Sequence, residues 1–309
     1  MSIVLFAPAK LKGLKEEYSL PYKFKELLKK SPLSKIIKEE NIVAIKVHVG
    51  DMKHGGFRFI RPLFVRILVN YIKELGGIPF LTDTWGLKHT IIGLENGFNY
   101  ATVGAPLIPV NGIKEDFNVK VKVPNPLRIS EVEVGGEVYY ADVIIDFAHA
   151  KGHPSSGYGG AIKNLAMGCV SPSTRSAVHR LERLDNQGIA FQEGLVDAFH
   201  AVILNKPKKV YYINFALDIQ PTCDCAPWSD IPIVPDIGIL ASEDPVAVEK
   251  ATLDLIDKAP IMPGSIAEKA KIKPGENKFL KIHGKNPYVQ VEAAAKKGLG
   301  SLEYKLVEV

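Results

Sequence analysis

A chain of 309 residues, 46% hydrophobic and 24% charged, has the apolar content to bury a large core, which excludes wholesale disorder. Its net charge of +5 lies in lysine-rich stretches such as 23–30 and 206–209, not in a basic stripe with interleaved aromatics, so nucleic acid is not the expected partner. Three cysteines, an odd number in a long chain, exclude a disulfide framework and suit a reducing cytoplasm.

In chain order, residues 2–8 are apolar but too short to cross a membrane, and they read as a first strand. Residues 42–49 are a near-continuous β-branched run, the mark of a strand buried on both faces. Residues 61–75 carry helical spacing (Leu63, Ile67, Leu68, Tyr71, Ile72, Leu75) and stop at Gly76-Gly77. A short strand at 78–81 and a helical piece at 94–100 follow. Between 119 and 140 apolar and polar residues alternate around Pro124, Pro126 and Gly135-Gly136, which predicts a small antiparallel excursion. The alternation then resumes: strand 143–147, helix 161–167, helix 189–204, strand 210–215, strand 237–240, helix 245–257 and a last helix at 289–297. Pro245 suits a first helical turn, with Ser242 or Asp244 as cap.

This grammar predicts an α/β fold, a mostly parallel sheet with helices on both faces, in one domain over 1–309 or two closely fused lobes (about 1–150 and 151–309). The many lysines, glutamates and prolines suit a thermophile.

Ligands of an open parallel sheet bind outside the carboxyl ends of its strands. Taken strand by strand, those ends deliver His48, Asp51, Lys53 and His54; then Asp83; then His149, Lys151, His153 and the glycines 157, 159 and 160; then Asp218 and Cys223-Asp224-Cys225; then Ser242-Glu243-Asp244. Extended backbone at 223–225 would turn both sulfurs one way and Asp224 the other, a clamp for a soft metal or for two irons of a cluster. Two inert core thiols or a strained redox disulfide are the alternatives. Cys169, if it approached the pair, would make three thiolates with one coordination position open.

The loop of Gly157, Gly159 and Gly160 lets backbone approach a ligand closely, with Lys151 and Lys163 adding charge and the following helix offering N–H groups to an anion. A glycine turn that serves packing alone is the alternative. His153, His48 and Asp83 are the candidate proton carriers, Asp83 equally a helix cap; His89, His179, His200 and His283 read as structural.

The segments Lys46-Val47-His48-Val49-Gly50, Leu81-Thr82-Asp83-Thr84, Lys151-Gly152-His153, the run from Gly159 to Cys169, Cys223-Asp224-Cys225 and Pro235-Asp236-Ile237-Gly238 resemble the motifs of domain-of-unknown-function family 362, over about 42–257. The resemblance implies an iron–sulfur association. Many members carry a ferredoxin-like insert after the equivalent of Cys169; this chain passes through His179 into the next helix without one, so relay through ferredoxin clusters is not implied.

The expected protein is an enzyme of a small anionic metabolite that depends on an iron–sulfur cluster or a soft divalent metal at Cys169, Cys223 and Cys225, with lyase or dehydratase chemistry. A non-catalytic metal or cluster carrier and a metal-free enzyme of phosphate or carboxylate transfer are the other readings. Neither nucleic acid nor membrane is an expected partner, and the sequence does not fix the oligomeric state.

Overall fold

The computed structural model describes residues 1–50, 57–226 and 228–309, so Asp51, Lys53, His54 and the glycines beside them lie outside the described residues. Twelve strands are described: β1 (Ser2–Pro8), β2 (Ile42–Val47), β3 (Ile78–Asp83), β4 (Leu107–Pro109), β5 (Asn118–Lys122), β6 (Glu131–Gly135), β7 (Val143–His149), β8 (Lys151–His153), β9 (Gly157–Gly159), β10 (Val210–Ala216), β11 (Gly238–Ser242) and β12 (Tyr304–Glu308). Eight of them form one sheet in the order β12-β1-β11-β10-β7-β2-β3-β4, surrounded by helices. The fold is α/β.

Side-chain alternation along the central strands divides the core in two. Val43, Ile45, Val47, Val143, Ile145, Phe147, Ile213 and Phe215 face one side, under helices Leu20–Lys30 and Pro62–Glu74. Ala44, Ile144, Ala148, Tyr212 and Ala216 face the other, under Ala161–Gly168, Ile189–Ile203, Pro245–Lys258 and Tyr288–Lys296. Interrupting this second face are three buried polar residues of the middle strands, Lys46, Asp146 and Asn214, with Lys46 and Asp146 directly opposite each other in the β2–β7 ladder.

Within the sheet, β11 runs antiparallel to both β10 and β1, whereas the remaining ladders are parallel. The described residues of 217–237 contain no crossover helix, so the chain returns to the sheet at the rim it left, and the next strand must run the other way. This corrects one sequence expectation. Ser242-Glu243-Asp244 sits at the opposite rim, where Asp244 Oδ1 caps helix Pro245–Lys258 through Ala247 N (2.9 Å). What β11 brings to the ligand-binding rim is its beginning, Asp236, whose Oδ1 accepts from Asp218 N (2.8 Å).

The antiparallel excursion is present as the β5–β6 pair. The helical piece expected at 94–100 lies earlier, at Gly86–Glu95, with a separate turn at Tyr100–Val103. Residues 151–159, expected as a loop, form the β8–β9 hairpin. No helix among the described residues is long and apolar enough to cross a membrane.

Candidate functional site

The carboxyl ends of β2 and β3, the β8–β9 hairpin, helices Ala161–Gly168 and Pro172–Arg180 and the turn at 223–226 enclose a cleft of about 220 Å³. His48, Asp83, Lys151, His153, Gly159, Gly160, Lys163, Cys223 and Cys225 all line it. Distant stretches of chain therefore converge at one rim.

The floor is closed on itself. Asp83 Oδ1 pairs with Lys46 Nζ (2.9 Å) and accepts from Thr84 N (2.9 Å), while Oδ2 accepts from Val49 N (3.0 Å) and faces His89 Nε2 (3.2 Å). Burial would raise the carboxyl's pKa, but Lys46 and His89 outweigh it and hold Asp83 well below the usual range. With four partners and a firm negative charge, Asp83 orients Lys46 and is poorly placed to carry protons. Lys46 also donates to Asn164 Oδ1 (2.9 Å), and Asn164 Nδ2 donates to Asp146 Oδ1 (2.7 Å). Burial pushes Asp146 well above its ordinary range, which favours its neutral form. Gly168 makes room for this network, because a Cβ there would collide with the Lys46 side chain.

The Cys-Asp-Cys segment is a tight turn, not extended backbone, closed by Ala226 N donating to Cys223 O (2.8 Å). The side-chain division is nevertheless the expected one: both sulfurs open on the cleft and Asp224 is buried behind them. Asp224 takes Gln220 Nε2 (2.8 Å), His149 Nδ1 (2.7 Å) and Lys151 Nζ (3.0 Å), which fixes the turn to β7 and β8. Burial lowers the Lys151 pKa, but Asp224 and Cys223 outweigh it, so the ammonium is held above its ordinary value.

Two imidazoles face Cys223. His153 Nδ1 accepts from Ser155 N (3.1 Å) and His48 Nδ1 from Gly50 N (3.0 Å). A ring whose Nδ1 accepts a backbone N–H carries its proton on Nε2, so both histidines are set as N–H donors. Burial, then the Lys163 charge, lowers His153 to about 4 and keeps it neutral. A hydrogen bond from the Cys225 thiol, joined by those from His153 and His48, overcomes burial and holds Cys223 well below an ordinary thiol; the same bond, with burial, pushes Cys225 up. Between the two sulfurs, the negative charge is therefore favoured on Cys223.

Lys163 has no carboxylate partner among the described residues, and burial lowers it to about 8. Arg175 stands beside it at the mouth, its guanidinium 4.7 Å from the centroid of Trp85. Together they supply positive charge for an anion.

Three expectations are corrected. Cys169 ends helix Ala161–Gly168 with its side chain fully buried in the apolar core, and it is not among the residues that line the cleft. Gly157 does not line it either: its φ of +75° and close approach to Lys285 O explain the glycine by packing. The amino end of helix Ala161–Gly168 does not await a ligand, because Ile162 N donates to Glu249 Oε1 (2.7 Å).

Sequence reasoning assigned no site role to Lys46, Asn164, Arg175 or His179, all of which line the cleft. A lysine inside an apolar central strand was the available signal for Lys46. The one-face spacing of Arg175 and His179 was the signal for that pair.

Among the described residues, no three His, Cys, Asp or Glu side chains stand together as metal ligands. Cys223 and Cys225 offer two sulfurs, and the nearby imidazoles present N–H groups instead of lone pairs. A cluster bound by all three cysteines does not fit this donor set.

The fold and cleft define an α/β protein with a cationic, thiol-bearing site at the carboxyl rim of its sheet. The chain belongs to the family described as Domain of unknown function (DUF362), whose model matches residues 43–254. Similar solved structures include a Thermotoga maritima protein determined by structural genomics (15% identity, TM-score 0.48, covering 71% of this chain and 56% of that one). Another is the lactate racemase apoprotein from Thermoanaerobacterium thermosaccharolyticum (13% identity, TM-score 0.43, 71% and 51%). The chain thus spans little more than half of either. No curated protein matches it.

Proposed function

We propose that the chain is an enzyme acting through the Cys223 thiolate on a small anionic metabolite. One observation carries this reading: His48 and His153, each fixed as a donor by a backbone N–H on Nδ1, line the same cleft as Cys223 and are among the groups that hold its thiol below the ordinary range. Preorganised donors stabilise a thiolate without reorganisation when it reacts. Lys163 and Arg175 bind the anion, Lys151 and Asp224 hold the turn, and the Lys46–Asp83 pair supports the floor. The test is alkylation by iodoacetamide with site mapping by mass spectrometry. Cys223 is expected to react at pH 6, where an ordinary thiol is almost wholly protonated. His153→Phe should slow it roughly tenfold or more, by about the worth of one hydrogen bond to a charged group. Labelling of Cys223 no faster than of an unfolded-chain thiol would sink the reading.

A second reading is favoured by the opening of both Cys-Asp-Cys sulfurs on one cleft: a soft divalent metal or an iron–sulfur centre bound there, in a lyase or dehydratase or in a carrier without turnover. Anaerobic purification with iron and zinc analysis and a visible spectrum, compared with Cys223→Ser/Cys225→Ser, separates the two. Stoichiometric metal lost in the double variant supports the second; metal-free protein with a reactive Cys223 supports the first.

A further inference from the structure

The inner cleft opens outward into a groove of about 630 Å³ lined by Trp85, Arg175, Ser176, His179, Arg180 and Arg183, and Arg175 and His179 line both spaces. Five of the six come from one face of helix Pro172–Arg180 and the turn that continues it, Leu181–Arg183, where spacings of one, four, five and eight residues bring side chains to one side. The sixth, Trp85, is pinned across from them by its indole N–H, which donates to Val170 O (3.0 Å).

The charges of this groove are not neutralised from within. Arg175, Arg180 and Arg183 have no carboxylate partner among the described residues, and the acid of the same turn, Glu182, is tied to His179 Nδ1 (2.5 Å). Arg175 rests on the indole face, so its guanidinium is held in place before any ligand arrives. Three guanidiniums around one open space match the planar, multiply accepting oxygens of a phosphoryl group better than a single carboxylate.

We propose that this groove is a subsite for a phosphoryl group on the far end of the substrate. The metabolite would be an elongated one, with its reacting end at Cys223 and its phosphate or diphosphate on Arg175, Arg180 and Arg183. Resting on the small-anion reading of the inner cleft, the inference extends it from an unspecified anion to a phosphorylated one.

The test is calorimetric titration of the full chain, at one fixed ionic strength, with inorganic pyrophosphate and with tricarballylate, a carboxylate of comparable charge. Wild type is expected to prefer pyrophosphate. Arg180→Gln/Arg183→Gln, both exposed and with folding checked by thermal melting, should weaken pyrophosphate by roughly tenfold, the worth of losing one to two exposed charge-assisted contacts. Pyrophosphate that does not bind wild type, binds the double variant equally well, or loses no more affinity than tricarballylate would overturn the subsite. Iodoacetamide labelling of Cys223 in wild type, run in parallel, reports on the inner reading separately. An unreactive Cys223 with arginine-dependent pyrophosphate binding would remove the thiolate reading and leave the groove as a phosphoryl site.

Discussion

The floor and the mouth of the cleft use similar charged side chains to opposite ends. On the floor, Lys46, Asp83, Asn164 and Asp146 bind one another, with Asp146 Oδ2 left without a partner among the described residues. At the mouth, Lys163, Arg175, Arg180 and Arg183 have no internal carboxylate among the described residues. Buried charge is tolerable only when paired, so the floor must be complete before any ligand arrives. Exposed cations such as Arg180 and Arg183 can wait for a partner, and Lys163 lacks one at the expense of a lowered pKa. Charge alone therefore does not mark a binding residue; lack of an internal partner does.

Variants can break this contrast, beginning with the floor. Lys46→Met strands the Asp83 carboxylate and should cost about 3–5 kcal/mol, read by urea denaturation, with the floor lost as a unit. A loss below about 1 kcal/mol would show that the pair is not the support it is taken to be.

A pH series addresses the neighbouring carboxyl. Burial raises Glu249 from its ordinary 4.5 to about 7. Between those two values the folded chain keeps a proton that the unfolded chain has released, so stability falls as pH rises across the window and levels off above it. The shift corresponds to about 3 kcal/mol, fully present below pH 4.5 and gone above 7. Asp146 slopes the same way, so the relevant quantity is wild type minus Glu249→Gln, which should fall by about 3 kcal/mol through that window. A difference that does not change with pH would refute the assignment.

Gly168→Ala should cost about 1–3 kcal/mol by forcing the Lys46 chain aside, a thermal shift that Lys46→Met should largely absorb in the double variant. The smallest stability effects belong to the mouth. Lys163→Met should lie within about 0.5 kcal/mol of wild type or above it, while anion binding in the inner cleft collapses. Destabilisation comparable to that of Lys46→Met would erase the distinction between the two regions.

Much of this site was legible in the sequence. Strand runs ending in His48, Asp83 and His149 located the rim, because a parallel sheet leaves its ligand side at one set of strand ends. The opposite placement of Asp224 and the two sulfurs was also legible, although a tight turn achieves it where extended backbone was expected. The direction of β11 was not: local pattern marks a strand but not its sense, and Asp244 looked like a site residue until the sheet order placed it on the far rim. Nor was the fate of Cys169, since the last residue of a helix can face cleft or core depending on how the helix is rolled. Arg175 and His179 went unread because a basic helix face is most often a solvated one, and only the cleft beside it gives that face a meaning.

The burial that favours a neutral Asp146 has a practical consequence. A protonated carboxyl in a dry interior absorbs infrared light apart from the crowd of ionised carboxylates, and Asn164 couples this one to the wall of the cleft. A protonated Asp146 would thus serve as an optical probe. A ligand that tugs on Lys46 or Asn164 should change the strength of the bond at Asp146, and difference spectroscopy could follow its arrival without any added label.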